Sequence, residues 1–237
     1  MIPLAGPANK QGRIVANNIC GRDSVHEGSQ GTSVVKVFDL TVSTTGLNEK
    51  QLNGQGKVYG TDYFVTVIEP KSHASYYPDA FPMTLKVIFD MSGKVLGAQN
   101  IGIEGIEKRI DIIATAIRFG GTIYDLQRLE LSYAPPYSSA KDPVNMAGFS
   151  AENILNRDMT PILWREIDSL DLSYNVIVFC SVGLRGYIAA RTLTQMGYKV
   201  KNLIGGYNLY KKYKQNFINI KPSTAPEIKL RENGFPI

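Results

Sequence analysis

A proline-rich segment, residues 133–143, divides this chain of 237 residues into two parts with different hydrophobic patterns. Before the segment, β-branched runs alternate apolar and polar residues and are joined by short turns, a pattern typical of antiparallel strands. After it, the continuous apolar run 175–180 is followed by a helical pattern and another strand, which is typical of a parallel sheet. The sequence therefore predicts an α+β domain, an antiparallel sheet plus helices, followed by a small α/β domain.

The first part contains signals for four strands and several helices. Met91-Ser92-Gly93 is a hairpin signal between two of the strands. Isoleucines recur at spacings of four, three and four after the last strand, which predicts an amphipathic helix. The predicted strands are 33–44, 63–69, 85–90 and 94–100, and the predicted helices are 8–19, 47–52, 105–119 and a short helix that Thr122 caps.

The second part alternates helices and strands. Its apolar strand is the kind that is buried in a parallel sheet, and a glycine at 197 ends the helix that follows. Such an order predicts a βαβ-like unit. The predicted elements are a helix at 146–157, a strand at 175–180, a helix at 186–196, a strand at 198–204 and a helix at 207–216.

Composition excludes several classes of protein. Lys plus Arg is 26 and Asp plus Glu is 21, and this net charge of +5 comes without a basic, aromatic-rich module, so we expect no nucleic-acid partner. No apolar run approaches the roughly 20 residues that span a bilayer, so we expect no membrane partner. The two cysteines, Cys20 and Cys180, and two histidines are widely scattered, which argues against a disulfide framework and a metal site and favours the reducing cytoplasm.

Cys180 ends the apolar strand, and the following turn leads into a helix. Backbone N–H groups of such a turn and of the helix N-terminus concentrate positive charge at the sulfur. Arg185 adds a full charge nearby, and both effects stabilise a thiolate. A buried, inert cysteine that closes a strand is the alternative, but the glycine and arginine at these offsets favour a reactive thiol.

This loop resembles the active-site loop of rhodanese sulfurtransferases, which holds a persulfide on the cysteine. Residues 203–207, Leu-Ile-Gly-Gly-Tyr, are similar to the closing strand of that family. The similar region, 151–217, is shorter than the roughly 100 residues of a common domain. After residues 164–168 we expect a strand of that family and its crossover to be missing. The loop consists of Cys180, Ser181, Val182, Gly183, Leu184 and Arg185.

Four other segments resemble FAD-dependent pyridine nucleotide disulfide oxidoreductases. They are residues 3–13, 41–49, 73–78 and 133–138. The most similar subgroup comprises coenzyme A disulfide reductases and NADH-dependent polysulfide or persulfide reductases, some of which carry a C-terminal rhodanese. The resemblance implies that the α+β part is the dimerisation domain of such an enzyme.

The resemblance also implies roles for individual residues. The segment 3–13 is similar to the part that approaches the flavin, so Leu4, Ala5, Asn9 and Lys10 are candidate flavin neighbours. The alternative to a flavin contact is that these residues only form the start of a helix. Tyr76 and Tyr133 match tyrosines that the family points into the partner's active site, where a phenol can protonate a sulfur leaving group. Two surface aromatics on stiff loops are the alternative, and the match could be Tyr77 instead of Tyr76.

The glycine turn Gly-x-Gly-x-x-Gly, which holds a dinucleotide pyrophosphate, does not occur in the sequence. The resemblance implies FAD and NAD(P)H for the complete enzyme, whereas we expect this chain alone to bind neither. It also implies a homodimer, substrates such as CoA disulfide, polysulfide or persulfide, and an upstream FAD/NAD polypeptide as a further partner.

The predicted organisation has five parts. They are the remnant of an FAD-domain end at 1–30, a dimerisation domain at 31–133, a linker and helix start at 134–150, an incomplete rhodanese-like domain at 151–217 and a tail at 218–237.

The favoured hypothesis is the C-terminal part of a flavin-dependent NAD(P)H:CoA-disulfide or polysulfide reductase, which supplies dimerisation, partner-site tyrosines and a persulfide-carrying cysteine. A stand-alone rhodanese-type sulfurtransferase and a non-catalytic dimerising relic are the alternatives.

Overall fold

Two separate sheets organise the residues that the computed structural model describes, 4–170 and 176–219. Segment 171–175, where the family's missing strand would follow, and most of the predicted tail, 220–237, lie outside the described residues, as do residues 1–3. The strands are β1 (Ser33–Val37), β2 (Leu40–Gly46), β3 (Tyr63–Ile68), β4 (Met83–Asp90), β5 (Val95–Gly102), β6 (Pro161–Ile162), β7 (Val176–Val178) and β8 (Val200–Leu203). The helices are α1 (Ala5–Ile19), α2 (Glu49–Gly54), α3 (Ile106–Arg118), α4 (Ile123–Arg128), α5 (Pro143–Leu155), α6 (Leu184–Gln195) and α7 (Gly206–Asn219), and a 3₁₀-helix covers Trp164–Ser169.

The first sheet is antiparallel, with the strand order β1-β2-β5-β4-β3. The predicted hairpin between β4 and β5 is confirmed, and Asp90 stabilises its turn because its Oδ1 accepts from Ser92 N at 2.8 Å and Lys94 N at 3.0 Å. The single strand predicted over 33–44 is wrong. The chain turns at Phe38, which has a φ of 51°, and β1 pairs back on β2. The turn contains no glycine or asparagine, so the usual hairpin signal is missing.

Helices cover one face of this sheet. α3 packs on β2 and β5, and its predicted apolar face is confirmed, since Ile106, Ile110 and Ile113 are fully buried. α5 packs on β3 and β4. The predicted cap by Thr122 is also confirmed, because its side chain accepts from Asp125 N in a capping box at the start of α4.

The second sheet is a small parallel one, with the order β6-β8-β7 and with α6 packed on β7 and β8. The predicted architecture, an antiparallel sheet plus helices followed by a small α/β unit, is therefore confirmed. Within the described residues β7 pairs only with β8, so its other edge has no strand beside it there.

An ion-pair cluster joins the two units. Glu49 at the start of α2 accepts from Arg165 of the 3₁₀-helix at 2.6 and 3.1 Å and pairs with Lys86 of β4. Burial raises the pKa of Glu49, but the hydrogen bonds and charges of Arg165 and Lys86 outweigh burial and lower this pKa to about 2. Apolar residues of the second unit also join the main core, namely Met159, Leu163 and Ile204.

Candidate functional site

The loop that carries Cys180 follows β7 and ends in the first turn of α6. Gly183 is the N-cap of α6 and has a φ of 122°, which side chains other than glycine rarely adopt. This conformation brings the N–H of Gly183 to 3.0 Å from the Sγ of Cys180. The strand–turn–helix pattern therefore places the sulfur at a helix N-terminus.

The surroundings of Cys180 favour the thiolate. Burial raises the pKa of the thiol, but backbone N–H groups of Gly186, Gly183, Val182 and Arg185 outweigh it, so the pKa lies below its ordinary value of 9.0. A thiolate is the nucleophilic form of cysteine. The loop can therefore supply a nucleophile at a lower pH than an ordinary cysteine.

Two glycines allow the loop to pack closely against the rest of the second unit. A Cβ at Gly186 would lie 2.5 Å from Oδ1 of the buried Asn202, and a Cβ at Gly206 would lie 2.5 Å from the carbonyl oxygen of Cys180. Tyr207 N donates to that same oxygen at 2.7 Å. Backbone hydrogen bonds from the start of α7 thus hold the loop in place.

The remaining loop side chains are accessible to solvent. Those of Ser181, Val182, Leu184 and Arg185 are exposed, so the guanidinium of Arg185 is available to an anion that approaches the loop. Beside Cys180, the exposed ring of Phe179 stacks on that of Tyr207, with 5.7 Å between the ring centroids. An exposed aromatic surface therefore flanks the backbone of the loop.

The two candidate tyrosines lie next to each other, although they are far apart in the sequence. The phenol oxygens of Tyr76 and Tyr133 are 3.1 Å apart, and both residues are exposed. The hydrogen bond with Tyr76 raises the pKa of Tyr133. Tyr77 instead places its ring edge-on to His73, with 5.7 Å between centroids. The geometry thus pairs Tyr133 with Tyr76 rather than with Tyr77.

A buried polar network holds the two tyrosine loops together. Arg109 Nη2 on α3 donates to the carbonyl oxygen of Ser72 at 2.8 Å and to Oδ2 of Asp142 at 3.1 Å. Ser138 Oγ donates to the same carboxylate oxygen at 2.5 Å, and Ala74 N donates to the carbonyl oxygen of Ser138 at 2.9 Å. Arg109 and Asp142 are 1% and 2% exposed, so this is a fully buried ion pair.

None of these supporting residues was predicted as part of a site, although the sequence carries a signal for one of them. Arg109 follows Ile106 by three positions and precedes Ile113 by four, so it lies on the apolar face of α3. A charged residue on such a face is buried only when it is paired. No comparable pattern marks Asp142 or Ser138, which lie in the proline-rich segment.

The four candidate flavin neighbours lie in the first turns of α1. Ala5, Asn9 and Lys10 are exposed, and Leu4 is partly exposed. Asn9 Nδ2 donates back to the carbonyl oxygen of Ala5 at 2.9 Å. In the part of the chain that the structure describes, no side chain of α1 is buried and no side chain caps its N-terminus. Within the described residues no hydrogen bond, ion pair or ring contact joins this group to Cys180 or to the tyrosine pair.

None of the helices in the described ranges is long and apolar enough to cross a membrane. Those same residues contain no cluster of three or more His, Cys, Asp or Glu side chains that could hold a metal ion.

Two family models match consecutive parts of the chain. The model of the pyridine nucleotide-disulphide oxidoreductase dimerisation domain matches residues 32–143, and that of the rhodanese-like domain matches residues 144–213. These matches cover the unit with the tyrosine pair and the unit with Cys180.

Curated relatives and solved structures agree with these matches. The coenzyme A disulfide reductases of Staphylococcus epidermidis and Staphylococcus aureus are 35% and 37% identical over 153 residues, which is 64% of this chain and 34% of each relative. The crystal structure of reduced Bacillus anthracis CoADR-RHD is 45% identical in sequence, with a TM-score of 0.85. The match covers 91% of this chain and 45% of the Bacillus anthracis chain. The structure of a NAD-dependent persulfide reductase from A. fulgidus is 33% identical in sequence, with a TM-score of 0.76. The match covers 87% of this chain and 44% of the A. fulgidus chain. The chain spans about a third of the length of the curated relatives it matches.

Proposed function

We propose that the chain serves as the C-terminal part of a flavin-dependent reductase. It carries the dimerisation domain of the pyridine nucleotide-disulphide oxidoreductases, followed by a rhodanese-like domain. It is also homologous to the C-terminal part of coenzyme A disulfide reductases and persulfide reductases. In this role it forms a homodimer, offers Tyr76 and Tyr133 to the partner's active site, and carries sulfur on Cys180. We place it in the cytoplasm, where both cysteines stay reduced.

The proposed sulfur step is a nucleophilic displacement. The Cys180 thiolate attacks the outer sulfur of a persulfide, a polysulfide or thiosulfate, and a new S–S bond forms on the enzyme. The S–S bond within the donor breaks, and its electron pair leaves with the remaining thiolate, shorter polysulfide or sulfite. The N–H groups that stabilise the Cys180 thiolate are positioned to stabilise the persulfide anion as well. The exposed Arg185 attracts anionic donors such as thiosulfate.

The proposed role of the tyrosines is proton transfer. In the hydrogen-bonded pair, one phenol can donate to a sulfur leaving group while the other stabilises the phenolate that forms. Their exposure supports this role, because a group that acts in a partner's active site must be accessible from outside its own chain. The buried pair of Arg109 and Asp142 serves as the support that keeps the two loops in register.

FAD and NAD(P)H belong to the full enzymes of this family, so the fit of this chain to a flavin matters. Within the described residues no side chain caps the start of α1, so its first N–H groups suit an edge contact with a polar ring, and Leu4, Ala5, Asn9 and Lys10 would lie next to it. A flavin bound there would supply electron transfer from the nicotinamide to a disulfide or persulfide substrate. The sequence has no glycine turn for the pyrophosphate, so we propose that an upstream FAD/NAD polypeptide holds both cofactors.

A single observation carries the proposal: a thiolate-stabilising cysteine loop and a phenol pair occur on the two matched domains of one chain. Persulfide formation is the direct test. After incubation of the full chain with thiosulfate, intact-protein mass spectrometry is expected to show the gain of one sulfur atom. The gain should vanish in Cys180→Ser and persist in Cys20→Ser, which removes the exposed cysteine at the end of α1.

Two further measurements separate the proposed role from the alternatives. Catalytic transfer of that sulfur to cyanide would favour a stand-alone sulfurtransferase, which the complete set of N–H groups around Cys180 within this chain also supports. Sedimentation should show a dimer. A monomer without persulfide would contradict both the proposed function and the stand-alone alternative.

A further inference from the structure

A cleft of about 440 Å³ lies where the two units meet, and the proposed sulfur step does not use it. One wall consists of the end of β3 and one face of α5, with Val67, Met146 and Phe149. The opposite wall consists of the Cys180 loop and the start of α6, with Leu184 and Tyr187. Its volume is within the range of about 300–1,000 Å³ that is common for small-molecule sites.

The body of the cleft offers few free hydrogen-bonding groups. The hydroxyl of Ser150 is already paired with that of Thr66 at 2.7 Å, and Asn153 Oδ1 accepts from the hydroxyl of Tyr187 at 3.2 Å. Asn202 also lines the cleft, but its Nδ2 donates to the sulfur of Met159 at 2.8 Å and its Oδ1 is buried against Gly186, out of reach of a ligand. Apart from Lys141 and Glu69 at the cleft, the remaining lining side chains are aliphatic, aromatic or thioether. A polar ligand body would lose its hydrogen bonds to water there without replacement, so the cleft suits an uncharged hydrocarbon chain.

The charge at the cleft is positive. Lys141 is exposed, and its Nζ lies over the ring of Phe149, 6.0 Å from the centroid. Within the described residues its ammonium forms no ion pair. The carboxylate of Glu69, which also lines the cleft, pairs with Lys212 and accepts from Thr84 at 3.2 Å, so its charge is already balanced. An anionic group on the ligand would therefore be attracted to Lys141.

We infer that this cleft binds an aliphatic carboxylate of medium chain length, with the chain between the two units and the carboxylate at Lys141. Since Val182, Gly183 and Leu184 form one wall, the bound ligand also contacts the loop whose Gly183 N–H holds the Cys180 sulfur. Binding therefore slows attack by Cys180 on external reagents. This second effect rests on the proposed reactivity of Cys180, whereas the binding itself does not.

Titration calorimetry of the full chain with decanoate tests the binding. Decanoate is expected to bind roughly 15-fold more tightly than octanoate, because it has two more methylenes and each buried methylene contributes about fourfold. Phe149→Ala, which opens the wall, should weaken binding by about tenfold. Lys141→Met should weaken the binding of decanoate by up to about fivefold, as expected for an exposed ion pair, and should leave the binding of decanol unchanged.

Matched substitutions outside the cleft serve as controls. Phe119→Ala removes an exposed phenylalanine at the end of α3, and Lys50→Met removes an exposed lysine on α2, and neither should change the affinity. If decanoate did not bind, the inference would be overturned. That result is expected if another segment or a partner protein fills the cleft. Equal losses in the control variants would also overturn it.

The coupling to the loop is tested in Cys20→Ser, where Cys180 is the only cysteine. Decanoate should slow the alkylation of Cys180 by iodoacetamide several-fold, and Phe149→Ala should remove this protection. Tight binding without protection would refute the coupling and leave the site in place. Binding to a chain whose Cys180 takes up no sulfur would contradict the proposed function alone.

Discussion

The two sheets differ in how much of each strand is covered. β4 and β5 have eight residues each and lie inside their sheet, and Leu85, Val87 and Phe89 of β4 are fully buried. β7 has three residues, none of them buried, and α6 buries only Gly186 and Ala190. The free energy of burial is roughly proportional to apolar area, so the first unit contributes most of the stability of the chain.

The difference shows that the candidate sulfur loop does not depend on a large core. Backbone hydrogen bonds and close glycine contacts hold it, and these interactions require only a short stretch of β8 and the start of α7. The tyrosine pair, by contrast, relies on a buried ion pair inside the well-packed unit. Substitutions in the two units should therefore have different kinds of effects.

The largest expected effect is in the first unit. Asp142→Asn leaves Arg109 charged and buried without its partner, which should lower the free energy of unfolding by about 3–5 kcal/mol. Asp158→Asn is the control, since the pair with Arg191 is partly exposed and should contribute less than about 1 kcal/mol. Urea denaturation measures both. Equal losses would contradict the contrast between the buried and exposed pairs.

The second prediction concerns the junction. With a pKa of about 2 in the folded chain and an ordinary value of 4.5, Glu49 stabilises the fold fully above about pH 4.5 and progressively less as the pH falls towards 2. Glu49→Gln should lower the free energy of unfolding at pH 7 by about 3 kcal/mol. Unfolding of this variant should also lose that part of its acid dependence.

Glu107→Gln, on the exposed first turn of α3, is the matched control and should cost less than about 1 kcal/mol. Stability measured from pH 2 to 7 in the three proteins gives the comparison. If Glu49→Gln kept the acid dependence of the parent chain, Arg165 and Lys86 would not lower the pKa of Glu49 in the folded chain.

The third prediction concerns a substitution that should destabilise the second unit alone. In Gly186→Ala the new Cβ would lie 2.5 Å from Asn202 Oδ1 and 3.2 Å from the Cα of Phe179, so the loop must shift at a cost of about 1–3 kcal/mol. Hydrogen exchange should become faster in β7 and α6 and stay unchanged in β4 and β5.

Gly12→Ala provides the comparison for this glycine. It lies on α1, and no atom of the described residues lies within 4 Å of the added Cβ outside its own helix and chain neighbours, so the substitution should leave exchange in both sheets unchanged. Faster exchange of β4 and β5 in Gly186→Ala would mean that the two units unfold as one.

The smallest expected effect is on the tyrosine pair. Tyr76→Phe removes the hydrogen bond that raises the pKa of Tyr133, so this pKa should fall towards its ordinary value of 10.0. NMR of ring-labelled tyrosine during a pH titration measures the change, and Tyr137→Phe, an exposed tyrosine on the same segment, is the control. If the pKa of Tyr133 stayed the same in Tyr76→Phe, the two phenols would not be paired in solution.

Much of the fold could be predicted because its signals are local. The isoleucine spacing of α3, the Met91-Ser92-Gly93 turn and the Thr122 cap each depend on a few neighbouring residues, and all three are confirmed. The turn at Phe38 could not be predicted, because a positive φ at phenylalanine has no sequence signal. The contact of Asp142 with Arg109 could not be predicted for a different reason, because only the packing of α3 brings the two residues together.

The sequence alone determined the order of the two units, the helix start at Cys180 and the residue types of each candidate site, since periodicity and turn chemistry act over short distances. Only the tertiary structure decided that Tyr76 rather than Tyr77 meets Tyr133, that Glu49 links the units and that a cleft separates α5 from the Cys180 loop. These three features join segments distant in sequence, and such contacts depend on how whole elements pack.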